Sequence, residues 1–130
     1  MREKRGSRPR VLLVEDAADI RDVFRMLLEA EGVQVVATGS GREAAMLLDH
    51  EDFDVILTDL GLPDISGEAV IRHARRNARR RPRVVVVTGY DEPFTTRARA
   101  AGADVVVTKP VIWSSLVDEL FVNPDDKVAA

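Results

Sequence analysis

Four aliphatic runs in this chain are too unbroken to be strands with one face in water: Val11–Val14, Val55–Thr58, Val84–Thr88 and Val105–Thr108. Continuous runs of this kind mark parallel strands covered on both sides. A fifth short strand is read at Val33–Ala37. Between the runs the period changes. Ile20, Val23, Phe24, Leu27 and Leu28 recur at three and four, which predicts a helix over Asp19–Glu31, with Asp19 as its cap and Gly32 past its end. After a turn at Thr38–Gly41, Ala44, Ala45, Leu47 and Leu48 give an inward helical face running to His50. A loop at Gly61–Gly67 precedes a helix to Asn77, Pro93 and Gly102 frame a fourth helix, and a fifth spans Ile112–Phe121 before Asn123-Pro124. Strand and helix thus alternate five times with short connections. Right-handed crossovers then require a doubly wound α/β fold, an open parallel sheet with helices on both faces.

At 130 residues the chain makes one domain large enough to bury a core unaided. We read residues 10–122 as that domain, 1–9 as a flexible basic arm and 123–130 as a loose acidic tail. The absence of cysteine excludes disulfides, thiolate zinc and cysteine nucleophiles, and is compatible with a cytoplasmic location. No apolar run approaches the ~20 residues of a membrane span, and the basic start lacks the apolar stretch of a signal peptide. A net charge of −3 argues neither for nor against a nucleic-acid partner.

The ends of the apolar runs carry the chemistry. Glu15-Asp16 follows the first, Asp59 the third, Thr88 closes the fourth, and Lys109-Pro110 follows the last. Open α/β sheets bind ligands outside the carboxyl ends of their strands, so three carboxylates, a hydroxyl and an ammonium should meet in one crevice. Three negative charges against one positive are costly unless a cation joins them or a proton stays. Magnesium suits such an oxygen set, with one or two carboxylates, a loop carbonyl (that of Gly61) and waters. Asp59, rigidly placed after a buried strand, is the candidate nucleophile toward phosphorus. Lys109 and Thr88 would meet the phosphoryl oxygens.

Several features weigh less. The arginines at 72, 75, 76, 79, 80, 81 and 83 read as a solvated end compensating a helix dipole. They lack the interleaved aromatics of a single-strand nucleic-acid binder, and an acidic partner surface is the better functional alternative. His50 and His73 read as surface residues, and Trp113 as packing.

The segments Val11-Leu12-Leu13-Val14-Glu15-Asp16, Asp54–Gly67, Thr88 and Gly102-Ala103-Asp104…Thr108-Lys109-Pro110 resemble the motifs of the response-regulator receiver domain of two-component signalling, over about residues 10–121. The resemblance implies a (βα)5 flavodoxin-like fold with strand order 2-1-3-4-5. It implies Asp59 as phosphoacceptor from a phosphohistidine on a sensor histidine kinase or histidine phosphotransfer domain. Asp16 and Asp59 would bind Mg2+ directly with Glu15 assisting through water, Lys109 and Thr88 would serve the phosphoryl group, and the bond before Pro110 would be cis. The domain would catalyse its own phosphorylation and slow dephosphorylation rather than turn over a substrate. Its output would be downstream protein binding through the face of the fourth helix, fifth strand and fifth helix, without direct nucleic-acid or membrane contact and with a homodimer left open.

One departure stands out. Where many receivers carry a switch aromatic in the fifth strand, this chain has Val106, and Tyr90 is the nearest substitute. The alternatives are a binding-only pseudo-receiver and a haloacid-dehalogenase-like phosphatase, the latter opposed by Gly61 where a second aspartate is needed. No effector follows Pro124, so the chain is read as a stand-alone receiver or one excised from a larger protein. Thr88-Gly89-Tyr90 and Lys109-Pro110-Val111 are similar to receivers of hybrid histidine kinases.

Overall fold

Each aliphatic run becomes a strand, and the sheet they form sorts their side chains onto two faces. The computed structural model describes residues 8–122, so the expected arm and tail lie, apart from Arg8 and Pro9, outside the described residues. The elements are β1 (Arg10–Val14), α1 (Ala18–Ala30), β2 (Gln34–Thr38), α2 (Gly41–His50), β3 (Val55–Thr58), α3 (Gly67–Asn77), β4 (Arg83–Thr88), α4 (Phe94–Ala101), β5 (Val105–Thr108) and α5 (Trp113–Leu120). All strand pairs are parallel, in the order β2-β1-β3-β4-β5.

Successive residues of a strand point to opposite faces. Leu12, Ile56, Val84 and Val86 therefore pack with Ala44, Leu48, Val70, Ile71 and Ala98 of α2, α3 and α4. Val11, Leu13, Leu57, Val85 and Val87 pack with Leu28, Leu116 and Leu120 of α1 and α5. Trp113 belongs to this second layer, its ring 5.8 Å from that of Phe24.

Three details differ from the expected elements. Asp19 lies inside the first turn of α1, not at its cap; Ala17 is the cap residue and makes no side-chain cap bond. Instead Glu15 Oε2 accepts from the Ala17 amide at 3.1 Å, so a site residue serves that helix start. Val105–Val107 are only half-buried, because β5 is a sheet edge. Ile20 and Val23 are exposed on α1 despite their apolar spacing.

The arginine run lies at the end of the sheet away from the strand carboxyl ends, and it is largely paired. Arg79 meets Asp52 at 3.3 Å, Arg80 meets Asp54 at 3.2 Å and Arg83 meets Glu119 at 3.2 Å. Arg72 and Arg97 share the buried Glu68. Arg75 ties α3 to the α4–β5 turn: its guanidinium donates to the Gly102 carbonyl (3.0 and 2.7 Å), to the Pro82 carbonyl (2.8 Å) and to Asp104 (3.0 Å). His73 is half-buried and bridges to Asp49 of α2 at 2.8 Å, while His50 is exposed. No helix among the described residues is long and apolar enough to cross a membrane.

Candidate functional site

The sheet's hydrogen bonding runs on past the strands into the site. The Glu15 amide donates to the Thr38 carbonyl at 3.0 Å, that of Asp59 to Val14 at 3.2 Å, and that of Lys109 to Thr88 at 2.9 Å. Three of the polar residues anticipated from the sequence thus hang from backbone that the ladder itself fixes. Their side chains converge. Asp59 Oδ1 accepts from the amides of Leu60 (2.6 Å) and Gly61 (3.4 Å), and its Oδ2 from Lys109 Nζ at 3.2 Å. The Asp59 side chain is only 14% exposed, against 35% for Lys109, so this pair is better shielded than an ordinary surface bridge.

Glu15 is buried beside them. Burial above all, then the charges of Asp59 and Asp16, raises its pKa, while the Ala17 amide and Lys109 oppose the rise. Asp16 is exposed. Among the described residues no group of three or more His, Cys, Asp or Glu side chains is drawn up to hold a metal ion. The carboxylates expected as a metal set are therefore neighbours that are not gathered around one point. Their chemistry nevertheless fits a divalent cation. All are hard oxygen donors, and the unfavourable charge felt by buried Glu15 is what a dication would relieve.

Thr88 is fully buried, and its Oγ1 accepts from the Tyr90 amide at 3.0 Å. The half-exposed Tyr90 ring stacks obliquely on Phe94, centroids 5.1 Å apart. Its hydroxyl lies over Gly61, where an added Cβ would come within 2.7 Å of it. Val106 is half-buried against the α2–α4 layer. The Lys109–Pro110 bond is cis, as the resemblance implied, and so is Glu92–Pro93.

Two residues escaped the sequence reading. Arg21 of α1 donates to the Glu15 carbonyl at 2.7 Å and, more weakly, to that of Asp16 at 3.4 Å. Asp64 of the β3–α3 loop holds the start of α2. Neither leaves a spacing signal, because Arg21 contacts backbone carbonyls and Asp64 contacts two backbone amides and the Ser40 hydroxyl more than twenty residues away.

A sequence profile of the response regulator receiver domain matches residues 11–121. The chain belongs to that family. The response regulator SaeR of Staphylococcus aureus (strain USA300) is 33% identical over 107 residues, covering 82% of this chain and 46% of that protein. The chain thus spans about half the length of the curated relatives it matches. Among solved structures, a CheY-like response regulator receiver domain protein of Methanospirillum hungatei JF-1 superposes with a TM-score of 0.83 at 29% identity, covering 95% of each chain. A response regulator of Burkholderia pseudomallei, solved with a phosphorylated aspartic acid, a calcium ion and citrate, gives 0.80 at 28%, covering 93% of this chain and 71% of that one. The receiver domain of the sensor histidine kinase PA1611 of Pseudomonas aeruginosa PAO1, with magnesium coordinated in its active-site cleft, gives 0.80 at 25%, covering 88% and 95%. The expected flavodoxin-like (βα)5 fold of order 2-1-3-4-5 is the one observed, and the chain is a two-component receiver.

Proposed function

We propose that Asp59 is the phosphoacceptor of this receiver and takes its phosphoryl group from a phosphohistidine on a sensor histidine kinase or phosphotransfer domain. The observation that carries this reading is the setting of the Asp59 carboxylate. It is backed by a buried strand and the Leu60 amide, and faced by the Lys109 ammonium at 3.2 Å. One Asp59 oxygen attacks phosphorus and an O–P bond forms. The P–N bond to histidine breaks, and the imidazole leaves with the electron pair and takes a proton from water. Such a transfer asks the protein mainly for positioning and charge neutralisation. Lys109 moves from Asp59 Oδ2 to the new phosphoryl oxygens. Thr88 gives up the Tyr90 amide and turns its hydroxyl to the same oxygens. Asp16, Asp59, the Gly61 carbonyl and, through water, Glu15 would hold Mg2+, which supplies positive charge to the transferring group.

Residues 10–122 form the working unit. The acceptor is regenerated by slow hydrolysis, so the domain acts as a switch rather than a turnover enzyme, in the cytoplasm. Its output is a population shift of the α4–β5–α5 face toward a downstream protein. With Val106 in place of the switch aromatic, the change at Thr88 passes through the Tyr90 amide, to which Thr88 is directly bonded.

The phosphoryl mimic beryllofluoride tests this. With Mg2+ present, amide NMR should show saturable changes at Asp59, Thr88, Tyr90 and Lys109 in wild type and none in Asp59→Asn. A folded wild type that binds no beryllofluoride would leave only a binding module without phosphorylation.

A further inference from the structure

The β3–α3 loop carries the acceptor at one end and the Gly61 carbonyl two residues on, so whatever fixes this loop fixes two parts of the site at once. Near its far end sits Asp64, to which no role in the chemistry has fallen. Its carboxylate is saturated by a different part of the chain. Oδ2 accepts from the Ser40 hydroxyl at 2.7 Å and the Arg42 amide at 2.9 Å, and Oδ1 from the Gly41 amide at 2.9 Å. Oδ1 also accepts from the following Ile65 amide at 2.8 Å. These partners hold its pKa well below the usual carboxylate range, the Ser40 hydroxyl most of all. The fit is close on the other side too. A Cβ added at Gly41 would lie 2.6 Å from Ile65 Cγ1 and 2.9 Å from the Ile65 carbonyl oxygen.

The contact is more than a cap on α2, because Ser40 already caps that helix by accepting from the Glu43 amide at 3.0 Å. What Asp64 adds is a link between the two acidic loops. The Glu15 amide donates to the Thr38 carbonyl (3.0 Å), the Ser40 amide to Thr38 Oγ1 (3.1 Å), and the Ser40 hydroxyl to Asp64 (2.7 Å). The loop bearing Glu15 and Asp16 is thereby held at a set separation from the loop bearing Asp59 and Gly61.

From this geometry we infer that Asp64 is a positioning residue for the Mg2+ and phosphoryl site, acting through Gly61 and the Glu15 loop. The inference rests on the phosphoacceptor reading above. Asn is the informative replacement. It keeps one acceptor oxygen but turns an NH2 toward the Ser40 hydroxyl and the Arg42 amide, so two donors face each other.

The test is Mg2+ titration of the metal-free protein, followed by the amide resonances of Asp59 and Gly61, beside thermal unfolding. Groups that orient metal ligands from behind typically cost 10- to 100-fold in affinity when removed. Asp64→Asn should accordingly bind Mg2+ about 10-fold more weakly. Phe53→Leu, buried at the opposite end of β3, should lower Tm without changing that affinity. Ser40→Ala removes one donor and keeps the carboxylate, so it should weaken Mg2+ in the same direction by less, and it carries the test if Asp64→Asn does not fold. Variants that lose Tm yet bind Mg2+ as tightly as wild type would overturn the inference and leave Asp64 a helix cap. Wild type that binds neither Mg2+ nor beryllofluoride would instead overturn the phosphoacceptor reading itself.

Discussion

Gly67→Ala should disable the site without touching any of its side chains. A Cβ built on Gly67 lies 2.0 Å from the Asp59 carbonyl oxygen, and 2.9 Å from both the Asp59 carbonyl carbon and Leu60 Cα. All three are backbone atoms, so no rotamer change can make room. An ordinary C···O contact is about 3.3 Å or longer, so relief needs a backbone shift of roughly 1 Å. Gly67 opens α3 and its amide donates to the Leu60 carbonyl at 2.9 Å, so the shift falls on the acceptor residue and its neighbour. Misplacing a reacting group by about 1 Å costs on the order of 100-fold in rate. Overpacking of this kind costs about 1–3 kcal/mol, which for a domain of this size lowers Tm by roughly 5–10 °C. The assay is the rate at which intact protein gains a phosphoryl group from a small acyl phosphate with Mg2+, measured beside a thermal melt. Gly89→Ala is the matched control: nothing lies within 4 Å of its added Cβ, so both readings should stay near wild type. A Gly67→Ala protein with wild-type rate and Tm would refute the steric reasoning.

Two further outcomes follow from the charges. Burial, with Asp59 and Asp16, raises the pKa of Glu15 above its ordinary 4.5, so the metal-free fold binds that proton more tightly than the unfolded chain does. This contribution favours the fold in acid and is lost as pH rises through the raised value. Glu15→Gln should therefore raise the Tm of the Mg2+-free protein at neutral pH, and the gain should fade as pH falls through the raised value and be gone below 4.5; a gain independent of pH would contradict the assignment. Arg75→Lys should lower stability by roughly 2 kcal/mol, since a single ammonium cannot replace the fork that joins Gly102, Pro82 and Asp104. Denaturant unfolding would show this loss while phosphoryl acceptance persists, because the contact lies away from the strand carboxyl ends.

The strands were legible because burial on both faces leaves a contiguous aliphatic signature: Val55–Thr58 and Val105–Thr108 have the boundaries expected of them. The aliphatic runs themselves do not show which strand lies at an edge; only the strand order implied by the resemblance did. An unbroken run of valines looks the same in Val105–Val107, which is half-buried, and in Val84–Val87, which is buried. The start of α1 was misjudged because Asp19 is a good capping residue type, whereas the Ala17 amide is served by Glu15, a carboxylate committed to the site. Asp59, Glu15, Thr88 and Lys109 could be found because each ends a strand, so the topology alone collects them. Arg21 and Asp64 could not. Their partners are mainly backbone carbonyls and amides, joined for Asp64 by the Ser40 hydroxyl and lying more than twenty residues away; backbone contacts impose no residue type on the positions they touch, and a lone serine at such a distance gives no pattern. Tyr90 was singled out by its nearness to Thr88, but only the fold shows its hydroxyl over Gly61.

The central claim is that Asp59 accepts a phosphoryl group, and intact-protein mass after incubation with Mg2+ and a small acyl phosphate tests it most directly. One added phosphoryl group on wild type, absent from Asp59→Asn and from wild type with the metal chelated, is the predicted result. A folded wild type that gains nothing and binds no beryllofluoride, or an Asp59→Asn protein that gains the group at the wild-type rate, would contradict it.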